Sequence, residues 1–182
     1  AFLEPPQDQG WLEEIRVAVE ASGLAIEMIA MEKAFMWLRE EAARREHERF
    51  LEGWLAVAAA IGCPALRVDP GGPPEGYTEE DMAGAVRGYE SWVERAWRDY
   101  GVQLFVENHW GMSQEPAFLD RLLDAVPGLG YLLDTANWGT PERRQRGWEL
   151  LTPRAGAIHV KSRQLGPDLV ERTYPLDEIV RK

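Results

Sequence analysis

The chain has 182 residues, 45% of them apolar and 28% charged, with 20 basic against 31 acidic side chains for a net charge of −11. This is the make-up of a globular chain long enough to bury a core, expected as one domain over residues 1–182, and it excludes disorder. A surface this acidic repels phosphate backbones, no long apolar run offers a membrane span, and the lone Cys63 excludes both an internal disulfide and a cysteine-built zinc site.

Neither nucleic acid nor a membrane is therefore an expected partner. Residues 1–6 show no basic, apolar leader, and the expected compartment is cytoplasmic. Asp8 can cap a helix that carries Trp11, Ile15, Ala18 and Val19 on one side and stops at Ser22 and Gly23. Residues 24–30 are mostly apolar and read as a strand, with Glu27 as a charge inside it that lines an interior or marks the solvent end. A long helix is expected over 38–61, with Phe50, Trp54, Val57 and Ile61 along one face, ended by Gly62, Cys63 and Pro64. Residues 65–69 read as the next strand, and 70–74 form a loop rich in turn residues. Thr78 to Asp81 is a capping signature for a helix bearing Met82, Val86, Tyr89, Val93 and Trp97.

A strand over 102–107 follows, then a helix with Phe118, Leu119, Leu122, Leu123 and Val126, and a strand over 131–134. Thr140 and Pro141 open a helix that runs to Leu151, residues 157–161 read as a strand, and a last helix begins at Leu176. Strands and helices alternate five times, and strands apolar on both faces imply an α/β arrangement of parallel strands covered by helices. Neither G-x-G-x-x-G nor G-x-x-x-x-G-K-[ST] occurs, which turns the choice away from an open nucleotide-binding sheet.

Three expected strands carry potential metal ligands at or near their ends. Glu107 closes one, Asp134 the next, and His159 lies in the one after, at spacings of 134 − 107 = 27 and 159 − 134 = 25 residues. Each spacing is one strand–helix unit, so in a parallel barrel the three side chains meet at the C-terminal face, where such barrels hold their sites. Each alone is more commonly a helix cap or a satisfied core histidine; three in consecutive units bring the functional reading level with that one. Hard oxygens with one imidazole suit Mn²⁺, Mg²⁺, Co²⁺ or Zn²⁺.

The segments Phe105-Val106-Glu107-Asn108-His109, Leu133-Asp134-Thr135-Ala136-Asn137 and Ile158-His159-Val160-Lys161 resemble the xylose isomerase-like superfamily, and within it the sugar phosphate isomerase/epimerase group. The resemblance implies a (β/α)₈ TIM barrel holding one divalent metal ion through Glu, Asp, His and a second Glu, with Glu107, Asp134 and His159 on the first three positions. It implies a small sugar or hydroxy-ketone as substrate, moved through an enediolate, with Glu107 as one proton carrier. Asn137 stands where many epimerases have a second His, and it can hydrogen-bond but not titrate. The group's last Glu would lie beyond Lys182, and Glu171, Asp177 and Glu178 are expected to be surface charges rather than its replacement.

Asn108, His109, Asn137, Lys161 and Arg163 are candidate substrate contacts, with Trp110 and Trp138 as candidate pocket walls. An abasic-site endonuclease would need more His ligands than the three here, and a non-catalytic or partner-completed barrel is the other alternative. A (β/α)₈ barrel takes about 250 residues. Five whole strands plus Phe2-Leu3-Glu4 as the tail of another are expected, so the barrel is incomplete in this chain and is expected to be part of a longer one or completed by another segment. Relatives of this group often assemble, and a homo-oligomer is expected to be possible.

Overall fold

Among the described residues, five strands lie side by side in their order along the chain, each parallel to the next. The computed structural model describes residues 8–181. The elements are α1 (Gln9–Ser22), β1 (Ile29–Trp37), α2 (Glu41–Ala60), β2 (Ala65–Gly71), α3 (Glu79–Arg95), β3 (Gln103–Glu107), α4 (Pro116–Ala125), β4 (Gly130–Asp134), α5 (Pro141–Leu151), β5 (Ala157–His159) and α6 (Leu176–Val180). Sequential order with a helix between successive strands makes a curled half-barrel, an incomplete TIM barrel with β1 and β5 at its edges. Residues 2–4, read as the tail of a further strand, lie outside the described residues. Among the described residues no helix is long and apolar enough to cross a membrane.

Local chemistry explains most boundaries. Asp8 accepts the Gly10 N–H at 2.8 Å and Gly23 closes α1 in the left-handed conformation. Thr78 and Asp81 form a complete capping box at the start of α3. That helix ends in a wider turn over Ala96–Tyr100, stopped by left-handed Gly101. Thr140 caps α5 through the Arg143 N–H, with Pro141 in the first turn.

The first strand is the main departure from the sequence reading. It begins at Ile29 rather than 24, because pairing to β2 sets it: Ile29 lies opposite Leu66, and after an irregularity Phe35 lies opposite Asp69. Glu27 is therefore an exposed residue ahead of the strand, not a charge inside it. The following helix starts at Glu41, since β1 continues to Trp37. The strand expected over 157–161 stops at His159.

Alternation along the strands divides the sheet into two unlike faces. Leu66 and Val68, Leu104 and Val106, and Tyr131 and Leu133 point outward into the helices and join Leu55, Met82, Tyr89, Phe118, Leu122 and Leu151 in one core. The inward residues make a small apolar layer of Ala65, Phe105 and Leu132. Above it, toward the strand C-termini, the inward residues are Arg67, Asp69, Glu107 and Asp134, all buried. The strands are thus apolar on the outer face and charged at the upper end of the inner one.

Two glycines hold helices against tryptophan rings. A Cβ at Gly84 of α3 would run into the Trp37 ring at the end of β1, and one at Gly147 of α5 would run into Trp138 just after β4. Trp37 further donates its indole N–H to Asp81 Oδ1 at 3.2 Å.

Candidate metal centre

Glu107 ends β3, Asp134 ends β4 and His159 ends β5, and the sheet register places Asp134 opposite His159. Parallel neighbours with ends in step bring the three together: one potential ligand atom from each lies within 4.8 Å of the others. The two carboxylates are buried, and His159 is partly open to solvent, with 45% of its side chain exposed.

Each ligand is held from behind. Asp134 Oδ1 accepts the backbone N–H groups of Ala136 and Asn137 at 2.8 and 3.0 Å, which leaves Oδ2 as the oxygen facing the cluster. Glu107 Oε1 lies 3.3 Å from His159 Nδ1 and accepts the Asn137 amide at 3.3 Å. Its Oε2 lies 2.9 Å from Arg67 Nε, an ion pair without hydrogen-bond alignment. Burial pushes the Glu107 carboxyl up, opposed by the charges of Arg67, His109 and His159 and reinforced by that of Asp134.

The donor set fits a divalent cation. Two buried carboxylates and an imidazole are the hard and borderline ligands that Mg²⁺, Mn²⁺ and Zn²⁺ accept, and Asp134 Oδ2 is a buried oxygen without a hydrogen bond. Among the described residues this is the one such cluster of three.

A ring of residues that the sequence reading did not single out surrounds it. Arg67, inside β2, reaches Glu32 at 2.9 Å, Asp69 at 3.1 Å, Glu107 at 2.9 Å and the Met31 carbonyl at 2.8 Å. Asp69 lies near the end of β2, as Glu107 and Asp134 end the next two strands. Its Oδ2 lies 3.2 Å from His109 Nδ1, and Oδ1 has no hydrogen bond. The sequence does carry a signal for both: an arginine within an apolar strand, and a third consecutive strand closing on a carboxylate.

The remaining candidates separate by position. His109 lies beside a cavity of about 750 Å³ over the ends of β1–β3, together with Glu32, Phe35, Trp110, Gln114 and Asn137. Gln114 donates to the His109 carbonyl and the His109 N–H donates to Ser113 Oγ, so the loop presenting the ring is fixed. Trp110 is 54% exposed there. Asn137 touches Glu107 on one side and Lys161 on the other, and Lys161 Nζ lies 2.7 Å from Asp134 Oδ2.

Others have different work. Asn108 donates to the Asp134 carbonyl and accepts from the Asp134 N–H and the Tyr131 hydroxyl, which ties β3 to β4. Arg163 donates to the Ala136 carbonyl. Trp138 is fully buried against Gly147 in the helix-side core and is not a pocket wall. Glu171 is no bystander: it gathers Ser162, the N–H groups of Arg163 and Gln164, and Thr173. Against the desolvation of its carboxyl, these hydrogen bonds hold it well below the usual carboxylate range. Of the three histidines, His47 accepts the Phe35 N–H and stacks on its ring away from the cluster, which leaves two for any metal chemistry.

A family model for the xylose isomerase-like TIM barrel matches residues 2–178. No curated protein matches the sequence. Among solved structures, 3-keto-D-glucoside 4-epimerase from E. coli is similar with a TM-score of 0.73 and 16% identity, over 94% of this chain and 73% of that one. A Thermus thermophilus protein soaked with zinc chloride is similar at a TM-score of 0.67 and 20% identity, over 86% of this chain and 64% of that one. A xylose isomerase-like TIM barrel protein from Mycobacterium smegmatis in complex with magnesium gives 0.66 and 17%, over 90% of this chain and 60% of that one. At these identities the likeness is one of fold, and the chain spans less than two thirds of the second and third of these structures.

Proposed function

The chain belongs to the xylose isomerase-like TIM barrel family, and from that premise we propose that it is a divalent-metal-dependent isomerase or epimerase of a small sugar or hydroxy-ketone. The observation that carries the reading is the convergence of Glu107, Asp134 and His159, joined through Asn137 to a cavity lined by both apolar and hydrogen-bonding side chains. These three would hold the ion, Mn²⁺, Mg²⁺, Co²⁺ or Zn²⁺. When bound, it supplies the positive charge that stabilises an oxyanion developing beside a broken C–H bond.

The chain's own groups then divide the work. Glu107 takes the proton from the carbon next to the substrate carbonyl, and burial, by favouring the protonated carboxyl, suits it to hold that proton before return. Return by Glu107 to the neighbouring carbon on the same face gives an isomer; an epimer needs a second acid on the opposite face, such as a water molecule, to protonate the same carbon while Glu107 keeps the proton it took. Arg67 fixes the rear oxygen of Glu107 and so aims the other. Asn137 and His109 offer hydrogen bonds to substrate hydroxyls, and the Trp110 ring gives a sugar's C–H face an apolar surface. An Asn cannot titrate, so Asn137 orients and does not carry the second proton.

The test is deuterium incorporation. The chain, loaded with Mn²⁺, is incubated with a panel of unphosphorylated and phosphorylated ketoses in D₂O and followed by NMR. Exchange at a carbon beside the carbonyl, lost in Glu107→Gln, supports the reading; a Mn²⁺-loaded chain that exchanges no proton in any ketose, and behaves like Glu107→Gln throughout, overturns it.

A further inference from the structure

We propose that Lys161 is a built-in competitor for the cation at this centre: its ammonium holds the one Asp134 oxygen that a divalent ion would use, and ion binding displaces it. The inference rests on the metal-dependent reading above and adds to it a residue that sets how tightly the ion is held.

Asp134 has only one oxygen to offer. Oδ1 takes two backbone N–H groups, from Ala136 and Asn137, and cannot turn away without leaving both unsatisfied in a buried position. Oδ2 faces the cluster, and Lys161 Nζ sits on it at 2.7 Å. The same ammonium donates to Asn137 Oδ1 at 2.9 Å, and the other end of that amide touches Glu107 Oε1 at 3.3 Å. Lys161 is thus bracketed by one ligand carboxylate and by an amide that contacts the other.

The centre has a second cation, and the contrast between the two identifies which one yields. The Arg67 side chain is 3% exposed and bound by three carboxylates and a carbonyl; moving it would strand buried charges. The Lys161 side chain is 47% exposed, its ammonium is a point charge on a flexible stem, and it can swing into water with full hydration. Its backbone does not need to follow: the Lys161 N–H donates to Thr135 Oγ1 at 3.0 Å and its carbonyl accepts from the Tyr174 hydroxyl. A doubly charged ion and an ammonium on the same oxygen repel at contact distance, so the mobile one leaves.

Mn²⁺ titration followed by the electron paramagnetic resonance of the free ion tests this without any substrate. Lys161→Gln is expected to tighten binding by about tenfold, the scale of a close ion pair on a buried carboxylate no longer in competition. Lys161→Arg, which keeps a cation on Asp134, is expected to stay near the parent. Arg143→Gln, which removes a positive charge from the same end of the molecule, controls for the general field; its cation is engaged by Glu75 and Glu115. A Lys161→Gln dissociation constant equal to the parent's, or an equal tightening in Arg143→Gln, overturns the competition. In the unmodified chain, the acetylation rate of Lys161 read by mass spectrometry should rise severalfold on adding Mg²⁺, and an unchanged rate counts against displacement. If neither parent nor variants bind Mn²⁺, the metal-dependent reading falls and takes this one with it; equal binding by all leaves that reading standing and sinks only the role of Lys161.

Discussion

The two faces of the sheet use the same strands for opposite purposes. On the outer face, Leu104, Val106, Tyr131 and Leu133 pack into a continuous core with the helices. One residue along each strand, on the inner face, stand Phe105 and Glu107, then Leu132 and Asp134: a thin apolar layer below and a charged layer above. A one-residue slip would exchange these faces, so the outer packing that stabilises the sheet also holds the ligand register. Stability and chemistry here belong to alternate residues of the same strands.

That contrast can be broken at either face. Glu107→Gln should have the largest effect, lowering ketose turnover by roughly 10²–10⁴-fold while the parent's far-UV spectrum is retained; kinetics on a reactive ketose from the panel would measure it. Leu133→Ala, on the outer face beside Asp134, should destabilise the fold by about 2–5 kcal/mol in a urea titration. Its Mn²⁺ affinity, measured well below the unfolding midpoint, should stay near the parent's. If Leu133→Ala weakened the ion more than it weakened the fold, the two faces would not be separable.

Carboxylates sharpen the comparison further. Glu107, inside, is pushed up by burial, whereas Asp81, at the start of α3 on the helix side, is pulled well below its ordinary value by Arg39, the Thr78 N–H and hydroxyl, and the Trp37 indole, against its own desolvation. Since its folded-state value is depressed, Asp81 contributes stability above the unfolded carboxylate value of about 3.9 and loses it as pH falls toward the folded one. Asp81→Asn should therefore cost about 2 kcal/mol near neutrality and flatten the acid limb of the stability curve below pH ~4. An unchanged acid limb would mean that Asp81 is not part of it. Trp110→Ala should have the smallest effect on the fold, within about 0.5 kcal/mol because the ring is exposed, and should appear instead as a raised KM.

Much of this was legible in the residues. The alternation of apolar runs and helix caps gives the order of strands and helices and places all the strands but the first closely, and Glu107, Asp134 and His159 stand out because each falls at or near the end of a strand in three consecutive units. What was not legible depends on contacts made across the chain. Residues 24–30 are more apolar than residues 31–37, and only hydrogen bonding to β2 sets where the strand begins. Asp69 precedes Pro70, Gly71 and Gly72, where a carboxylate reads as a turn residue, and its meaning emerges only when His109 and Arg67 arrive from other parts of the fold. Trp138 follows a ligand by four residues and was a fair candidate for a wall; the space that draws it into the core is left by the missing side chain at Gly147.

The pairing of Trp37 with Gly84 and of Trp138 with Gly147 has a mechanical consequence. In each, an indole at a strand end is seated in a notch on a helix, like a key in its shaft. A helix keyed in this way cannot roll about its own axis without forcing the ring out. The two keyed helices, α3 and α5, flank α4 and the strand ends that carry Glu107 and Asp134. Any adjustment to an arriving molecule must then come from the connecting segments above them, those bearing Trp110, Asn137 and Lys161, while the frame beneath stays still.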